Sequence, residues 1–223
     1  MEFNFATNKS VCNDAISPFL IGVIDHGFAN IASLVNALNY IGFATCVISS
    51  KSDFAQKVID GFILPGVGSF SAAITSLRNR KLDHVIFDLL EKGTSGMGIC
   101  LGMQMLVNSS EEGGGNEKGL GLFEGHVIKL PNNHEQVPRI GWSETKSTST
   151  NPIIGNLLSN DFYYLHSYTA KLDNPNEIAA TFKHGYDNYA SAIYKPKLLG
   201  VQFHPEKSQE MGLRLIKEFF LNS

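Results

Sequence analysis

Between residues 19 and 106 the chain alternates short apolar runs with helical periodicities, and no other feature limits its fold as tightly. "FLIGVID", "FATCVIS", "GFILPGVGSF" and "GMGIC" are short, bounded by polar or turn residues, and read as buried strands. Between them, "NIASLVNALNYIG" sets Ile31, Leu34, Val35, Leu38 and Ile41 at helical spacing, with Gly42 as a stop. "SDFAQKVID" offers a short capped helix, and the stretch from Ser71 to Lys92 is helical. "LGMQMLVNSS" starts a further helix after "GMGIC". Such alternation predicts a parallel sheet with helices on both faces, because each crossover must pack back onto the strands it joins.

The second half is different. "GLFEGHVIKL", "VPRIGWSETK", "DFYYLHSYTA", "EIAATFKHG" and "YASAIYKPKLLGVQFHPE" are β-rich with turn residues between them. Tyr189–Tyr194 and Leu198–Phe203 flank Lys195-Pro196-Lys197 and predict a hairpin. Met211, Leu215, Ile216 and Phe219 mark a closing amphipathic helix. Residues 1–18 read as an N-terminal extension and 19–223 as one domain, for which 43% hydrophobic content supplies a core. "SSEEGGGNEKG" is the most flexible internal loop.

Charge and cysteine usage exclude several classes of function. The net charge is −3 and the Lys and Arg residues are scattered, so there is no footprint for nucleic acid or a membrane surface. No apolar run approaches the roughly 20 residues of a membrane span. The N-terminus lacks the continuous apolar segment of a secretory signal. Three cysteines, Cys12, Cys46 and Cys100, are too few and too odd for a disulfide framework and fit a reducing, cytoplasmic setting. Cys12 lies in a polar stretch, and Cys46 lies in a strand expected to be buried. His84, His126, His134, His166 and His184 show no ligand spacing, so neither metal nor cofactor is expected. His166 is expected to be a satisfied structural histidine near the site.

Cys100 has an unusual neighbourhood. In "SGMGICLGMQML" it stands between Gly98 and Gly102 where a strand meets a helix, the pattern of a nucleophile elbow. The glycines predict a sharp turn that lifts the sulfur out at the strand's C-terminal end, above a helix N-terminus that favours negative sulfur. An inert thiol packed in a tight junction is the competing reading of that motif taken alone. A free thiol, with a pKa of about 8.5, needs a base at neutral pH. "GVQFHPEKS" offers one: His204 follows a predicted strand, and Glu206, two residues on in an extended segment, can sit beside the imidazole and orient it. A surface turn is the competing reading there. "LPGVGSF" sets Gly66 and Gly68 around Val67, where backbone N–H groups and that of Leu101 can face a developing oxyanion.

Together "GICLGMQ" and "GVQFHPEKS" resemble the class I (triad) glutamine amidotransferases. "LPGVGSF", "VPRIGW" and "YYLHSY" narrow the resemblance to the glutaminase subunits of imidazole glycerol phosphate synthases, over residues 19–223. The resemblance implies a three-layer flavodoxin-like α/β fold, with a mostly parallel central sheet and an added β-rich half. It implies hydrolysis of L-glutamine through a thioester on Cys100, with His204 moving protons and Glu206 orienting it. Gln104, Glu112, Gly68, Ser167 and Tyr168 would hold the substrate's amino-acid end. The partner implied is a (β/α)8 cyclase, in a heterodimer that receives ammonia and serves histidine biosynthesis. Asn30, Arg139, Trp142, Tyr163 and Lys207 match positions at or near that interface.

Three features depart from the family. "DHGFAN" replaces the more usual Asp-Tyr-Gly-x-Gly-Asn, so His26 and Ala29 are unusual near the partner face. "TSGMGIC" lacks a proline-led apolar run and predicts a weaker strand. The N-terminal extension has no family counterpart. A second reading is a paralogue that supplies ammonia for amidination of a bacterial surface sugar. A third is a non-catalytic assembly subunit, against which the intact Cys100, His204 and Glu206 argue.

Overall fold

The computed structural model describes residues 19–54, 58–114 and 117–223. The extension expected at 1–18, Cys12, residues 55–57 of the predicted "SDFAQKVID" helix and residues 115–116 of the predicted loop lie outside the described residues. The first half follows the expected alternation: β1 (Leu20–Ile24), α1 (Ile31–Tyr40), β2 (Ala44–Ile48), α2 (Lys51–Phe54), β3 (Gly61–Leu64), α3 (Phe70–Asn79), α4 (Leu82–Glu91) and β4 (Ser95–Ile99). Then α5 (Leu101–Met105) ends after five residues and β5 (Val107–Ser110) begins, so the helix expected over "LGMQMLVNSS" is cut short. The Leu106 carbonyl accepts the N–H groups of Leu122 and Phe123 at 2.8 and 3.1 Å, which draws "VNSS", a poor helix sequence, into a second sheet.

The β-rich half comprises β6 (Glu117–Lys118), β7 (Phe123–Lys129), β8 (Arg139–Ser147), α6 (Pro152–Leu158), β9 (Asp161–His166), β10 (Tyr168–Leu172), β11 (Ile178–His184), β12 (Asp187–Lys195), β13 (Leu198–Val201) and α7 (Gln209–Leu221). The hairpin predicted around Lys195-Pro196-Lys197 is formed by β12 and β13. Among the described residues one nine-stranded sheet runs β2-β1-β3-β4-β13-β12-β11-β8-β9, and a four-stranded sheet runs β10-β7-β5-β6. Pairs from β2 to β13 are parallel and those from β13 to β9 antiparallel, so the large sheet is mixed, with its parallel part confined to one half.

The parallel half is covered on both faces. Leu34 and Leu38 of α1 join Leu215, Ile216 and Phe219 of α7 in one core. Ile74 and Leu77 of α3 join Val85, Ile86 and Leu89 of α4 in the other. Two strands differ from expectation. β2 is an edge strand with β1 as its neighbour, so Cys46 is only half-buried rather than a core residue. β4, expected to be weak, is central and buried at every residue. A side chain on Gly96 would overlap the Phe62 ring, and one on Gly98 would come within 2.9 Å of the Met103 nitrogen. The small residues of "SGMGI" therefore exchange side-chain volume for close approach to neighbouring elements.

This topology aligns the carboxyl ends of β1, β3, β4 and β13, four adjacent parallel strands. Open α/β sheets bind ligands at that edge. The segment 25–28 follows β1, the segment 65–68 follows β3, Cys100 follows β4, and residues 202–204 follow β13.

Candidate active site

Cys100 occupies the turn between β4 and α5 with φ 54° and ψ −109°. The flanking glycines do not make the turn, contrary to expectation. Neither Gly98 nor Gly102 has a positive φ; the strain sits on the cysteine itself. Gly102 is required for space, because a Cβ there would overlap the Leu64 carbonyl. A backbone in such a region costs about 1–3 kcal/mol and persists only when its surroundings hold it. Here the Cys100 N–H donates to the Val201 carbonyl at 2.8 Å, and the Cys100 carbonyl accepts from Gln104 N–H at 3.1 Å. The sheet fixes one side of the elbow and the helix the other. With only five residues, α5 contributes little of the helix field expected beneath the sulfur.

His204 stands just past β13, with 2% of its surface exposed. Its contact with Glu206 is present, Nδ1 to Oε1 at 2.9 Å, but through a different geometry from the extended segment expected. Pro205–Lys207 forms a 3₁₀ turn with His204 at its N-cap, and Pro205 suits the first position of such a turn. The turn is fastened to β9. His204 N–H donates to the Tyr163 carbonyl at 2.9 Å, and Ser208 Oγ donates to the His204 carbonyl while accepting from Tyr163 N–H. Phe203 stacks on Phe162 at 3.9 Å between centroids.

The second ring nitrogen, Nε2, is buried without a formed hydrogen bond and faces the Cys100 side. Burial alone would hold this imidazole below its ordinary pKa. Interaction with the Cys100 sulfur and with Glu206 outweighs burial and pushes it up to about 10. A carboxylate on Nδ1 and a sulfur on the Nε2 side both favour the imidazolium.

Cys100 opens onto a cleft of about 260 Å³ lined by Val67, Gly68, Gln104, Glu112, Ser167 and Tyr168 among others. The sequence-predicted nucleophile, oxyanion and substrate-binding residues therefore meet in one place, apart from Gly66, which lies behind them. Glu112 is tied down: its Oε2 accepts the Phe70 N–H at the start of α3, at 2.9 Å. Gln104 Nε2 donates to the Tyr168 carbonyl at 2.8 Å and to Gln202 Oε1 at 3.1 Å. His166 also lines the cleft, and it is only partly satisfied. Its Nδ1–H donates to the Tyr168 carbonyl at 2.8 Å, while Nε2 is buried without a partner. Burial pushes its pKa down to about 3, so it is a neutral ring at working pH.

Two of the amides expected at the oxyanion hole, those of Val67 and Leu101, are engaged elsewhere. Val67 N–H donates to the Phe28 carbonyl at 2.8 Å, and Leu101 N–H donates to the Gly66 carbonyl at 3.3 Å. His26, the departure in the first turn, holds the same segment: its buried Nε2–H donates to the Pro65 carbonyl at 2.7 Å. Gly66 is wedged against Leu101, whose Cβ a side chain would meet at 2.9 Å. Gly68, at φ +95°, has open space around it.

Of the residues expected at a partner interface, Asn30, Lys207, Trp142 and Tyr163 are exposed or half-exposed around this edge. Asn30 and Lys207 border one small depression together with Gly66, Val67, His204 and Glu206. Trp142 and Tyr163 are cross-strand partners with rings 6.3 Å apart. Arg139 differs, with a side chain only 16% exposed. It pairs with Glu135 at 2.9 Å and lies over the rings of Phe182 and Tyr164, so its surroundings are those of a packing residue. Sequence reasoning missed Gln202 and Phe28. Gln202 sits inside the quoted "GVQFHPEKS" but carries no pattern of its own, and Phe28 acts through its backbone carbonyl, which no residue type announces.

Among the described residues no group of three His, Cys, Asp or Glu side chains is arranged to hold a metal ion, and no helix is long and apolar enough to cross a membrane.

A strained cysteine, a histidine with its carboxylate and a cleft at the strand ends are the parts that a thiol-dependent amidase requires. Residues 22–223 match the family described as glutamine amidotransferase class-I, and the chain belongs to that family. Within it, the chain is 35% identical to the imidazole glycerol phosphate synthase subunit HisH of Chlorobaculum tepidum, over 90% of this chain and 98% of that one. Identity to the subunit of the same name from Listeria monocytogenes is 39%, over 90% and 94%. The fold is also similar to the solved structure of PurLQS from Thermotoga maritima, with a TM-score of 0.70 at 16% identity, covering 91% of this chain and 97% of that one.

Proposed function

We propose that this chain is the glutaminase subunit of an imidazole glycerol phosphate synthase. The reading is carried by one observation: Cys100, which interacts with the Glu206-paired His204, opens onto a cleft whose walls bear the predicted substrate residues. Its similarity to subunits of that name supplies the acceptor pathway.

In this reading Cys100 Sγ, deprotonated by His204, attacks the side-chain amide carbon of L-glutamine. Negative charge develops on the amide oxygen, and His204 returns the proton to the departing ammonia. A thioester remains, which water hydrolyses to glutamate with His204 as base, and Glu206 steadies the imidazolium throughout. Gln104, Glu112, Ser167 and Tyr168 hold the amino-acid end. The oxyanion needs donors, and Val67 N–H is bonded to Phe28 instead. Rotation of the peptide segment at Gly66–Gly68 would free it, exchanging a hydrogen bond worth about 1 kcal/mol for one to the transition state. Asn30, Trp142, Tyr163 and Lys207 face the (β/α)8 cyclase, and its docking on the edge that carries Phe28 and Val67 triggers that rotation. Ammonia then passes to the cyclase rather than to solvent, yielding imidazole glycerol phosphate.

The test is a reconstituted complex with a histidine-pathway cyclase. Cys100→Ala should abolish synthesis from glutamine and leave synthesis from ammonium salts intact. Loss of both, or survival of the glutamine reaction, overturns the reading.

A further inference from the structure

Gln202 has no assigned role, yet it is fully buried and its side chain touches both halves of the proposed chemistry. A buried carboxamide must satisfy its donors and acceptors within the protein. The identity of each atom follows from a chain of fixed partners. The Tyr168 carbonyl can only accept, so the atom of Gln104 facing it at 2.8 Å is the nitrogen. That nitrogen also meets Gln202 at 3.1 Å, so the facing atom of Gln202 is its oxygen. The remaining end of Gln202, Nε2, is then the one directed at Cys100 Sγ, at 3.7 Å. The backbone cannot drift either: Gln202 N–H donates to the Ser191 carbonyl at 2.8 Å. The same chain of partners fixes what Gln104 presents. Both of its N–H groups are used, so the group it can offer to a ligand in the cleft is the acceptor Oε1.

We infer that Gln202 is a positioning residue joining the nucleophile to the reader of the substrate's amino group. Its Nε2–H holds the Cys100 sulfur in place and supports negative charge on it. Its Oε1 locks the Gln104 amide so that only an acceptor oxygen faces the cleft. An acceptor there suits the α-ammonium of an amino acid and disfavours an analogue without it. This rests on the glutaminase reading.

The experiment compares the wild-type chain with Gln202→Leu, which keeps the volume and removes both contacts. Two readouts separate this role from plain packing. One is the pH profile of Cys100 alkylation by iodoacetamide. The other is protection of Cys100 by L-glutamine against protection by its desamino analogue, glutaramate. In the variant, alkylation at pH 7 should fall about tenfold and its midpoint move to higher pH, as expected for one lost hydrogen bond to a charged group. The preference for glutamine over glutaramate should narrow several-fold, because the Gln104 amide is free to turn over. A folded variant with an unchanged profile and unchanged preference overturns the inference. Should the variant not fold, the side-chain amide signal of Gln202 in ¹⁵N-labelled wild-type protein must shift on alkylation of Cys100 and on adding glutamine. No shift in either case overturns it. A diazoketone analogue of glutamine keeps the two ideas distinguishable. If it fails to label wild-type Cys100 while iodoacetamide succeeds, the glutaminase reading fails. If it labels Cys100 and the variant matches wild type, only the role of Gln202 fails.

Discussion

Two turns meet at the cleft, and they are built in opposite ways. The elbow at Cys100 is held by the sheet on one side and by α5 on the other, and opens only toward the cleft. Its strain is held by the Val201 carbonyl and by the start of α5, and Gly102 presses against the Leu64 carbonyl. The turn at Gly66–Gly68 is fixed at its first residue and open at its last. Its Val67 N–H points at Phe28, away from the chemistry. One half of the site is preorganised and the other is held off. A nucleophile must be exact at all times, since misplacement by about 1 Å can cost about 100-fold in rate. In the proposed reaction, a donor that can be withdrawn would stop glutamine being spent when no acceptor is present.

The largest expected effects test whether the closed half is a working unit. His204→Ala should lower glutaminase kcat by about 10⁶, and Glu206→Gln by about 10⁴, if the hierarchy of catalytic triads holds here. Steady-state assay of the reconstituted complex checks both, and equal losses would break the division between base and orienter. Glu206→Gln should also change the pH dependence. The folded His204 is raised from 6.5 to about 10, so its contribution to stability is full below pH 6.5 and is lost as the pH rises through about 10. The difference in Tm between wild type and variant should be greatest below pH 6.5 and close near pH 10.

The glycines sharpen the contrast. Gly102→Ala places a methyl against a backbone carbonyl and should destabilise the fold by about 3 kcal/mol or more, read by denaturant unfolding. Gly68→Ala meets open space and strains only the backbone, at about 1–2 kcal/mol. It should nonetheless reduce the stimulation by partner, because the rotation needs that freedom. Equal destabilisation by the two would erase the distinction drawn between the turns.

The smallest effect concerns His26. His26→Phe removes the hydrogen bond to the Pro65 carbonyl and loosens the held-off turn. Glutaminase activity of the isolated chain should rise about fivefold, the worth of one ordinary hydrogen bond. Unchanged basal activity would mean that the Phe28 carbonyl alone holds the segment.

Much of the site was legible in advance because the motifs are local. "GICLG" and "HPE" each carry side chains whose chemistry is fixed by residue type, and strand–helix alternation puts them on one edge of a sheet. What was misread depended on contacts from elsewhere. The glycines around Cys100 looked like the turn, yet they serve the approach of β3 and α5. Arg139 matched a partner face by resemblance, and its place over two aromatic rings is a contact no local pattern announces. "VNSS" continued a helical pattern until residues 122 and 123 recruited it into a sheet.

The sequence by itself therefore determined the fold class and singled out the candidate nucleophile, base and acid, since periodicity and residue chemistry are properties of short segments. Only the tertiary structure decided the direction of the Val67 amide, the seat of the strain and the linkage of Gln202 to both Cys100 and Gln104. Hydrogen bonds of that kind join residues that no local pattern connects, and a backbone N–H looks the same in every sequence until the fold chooses its acceptor.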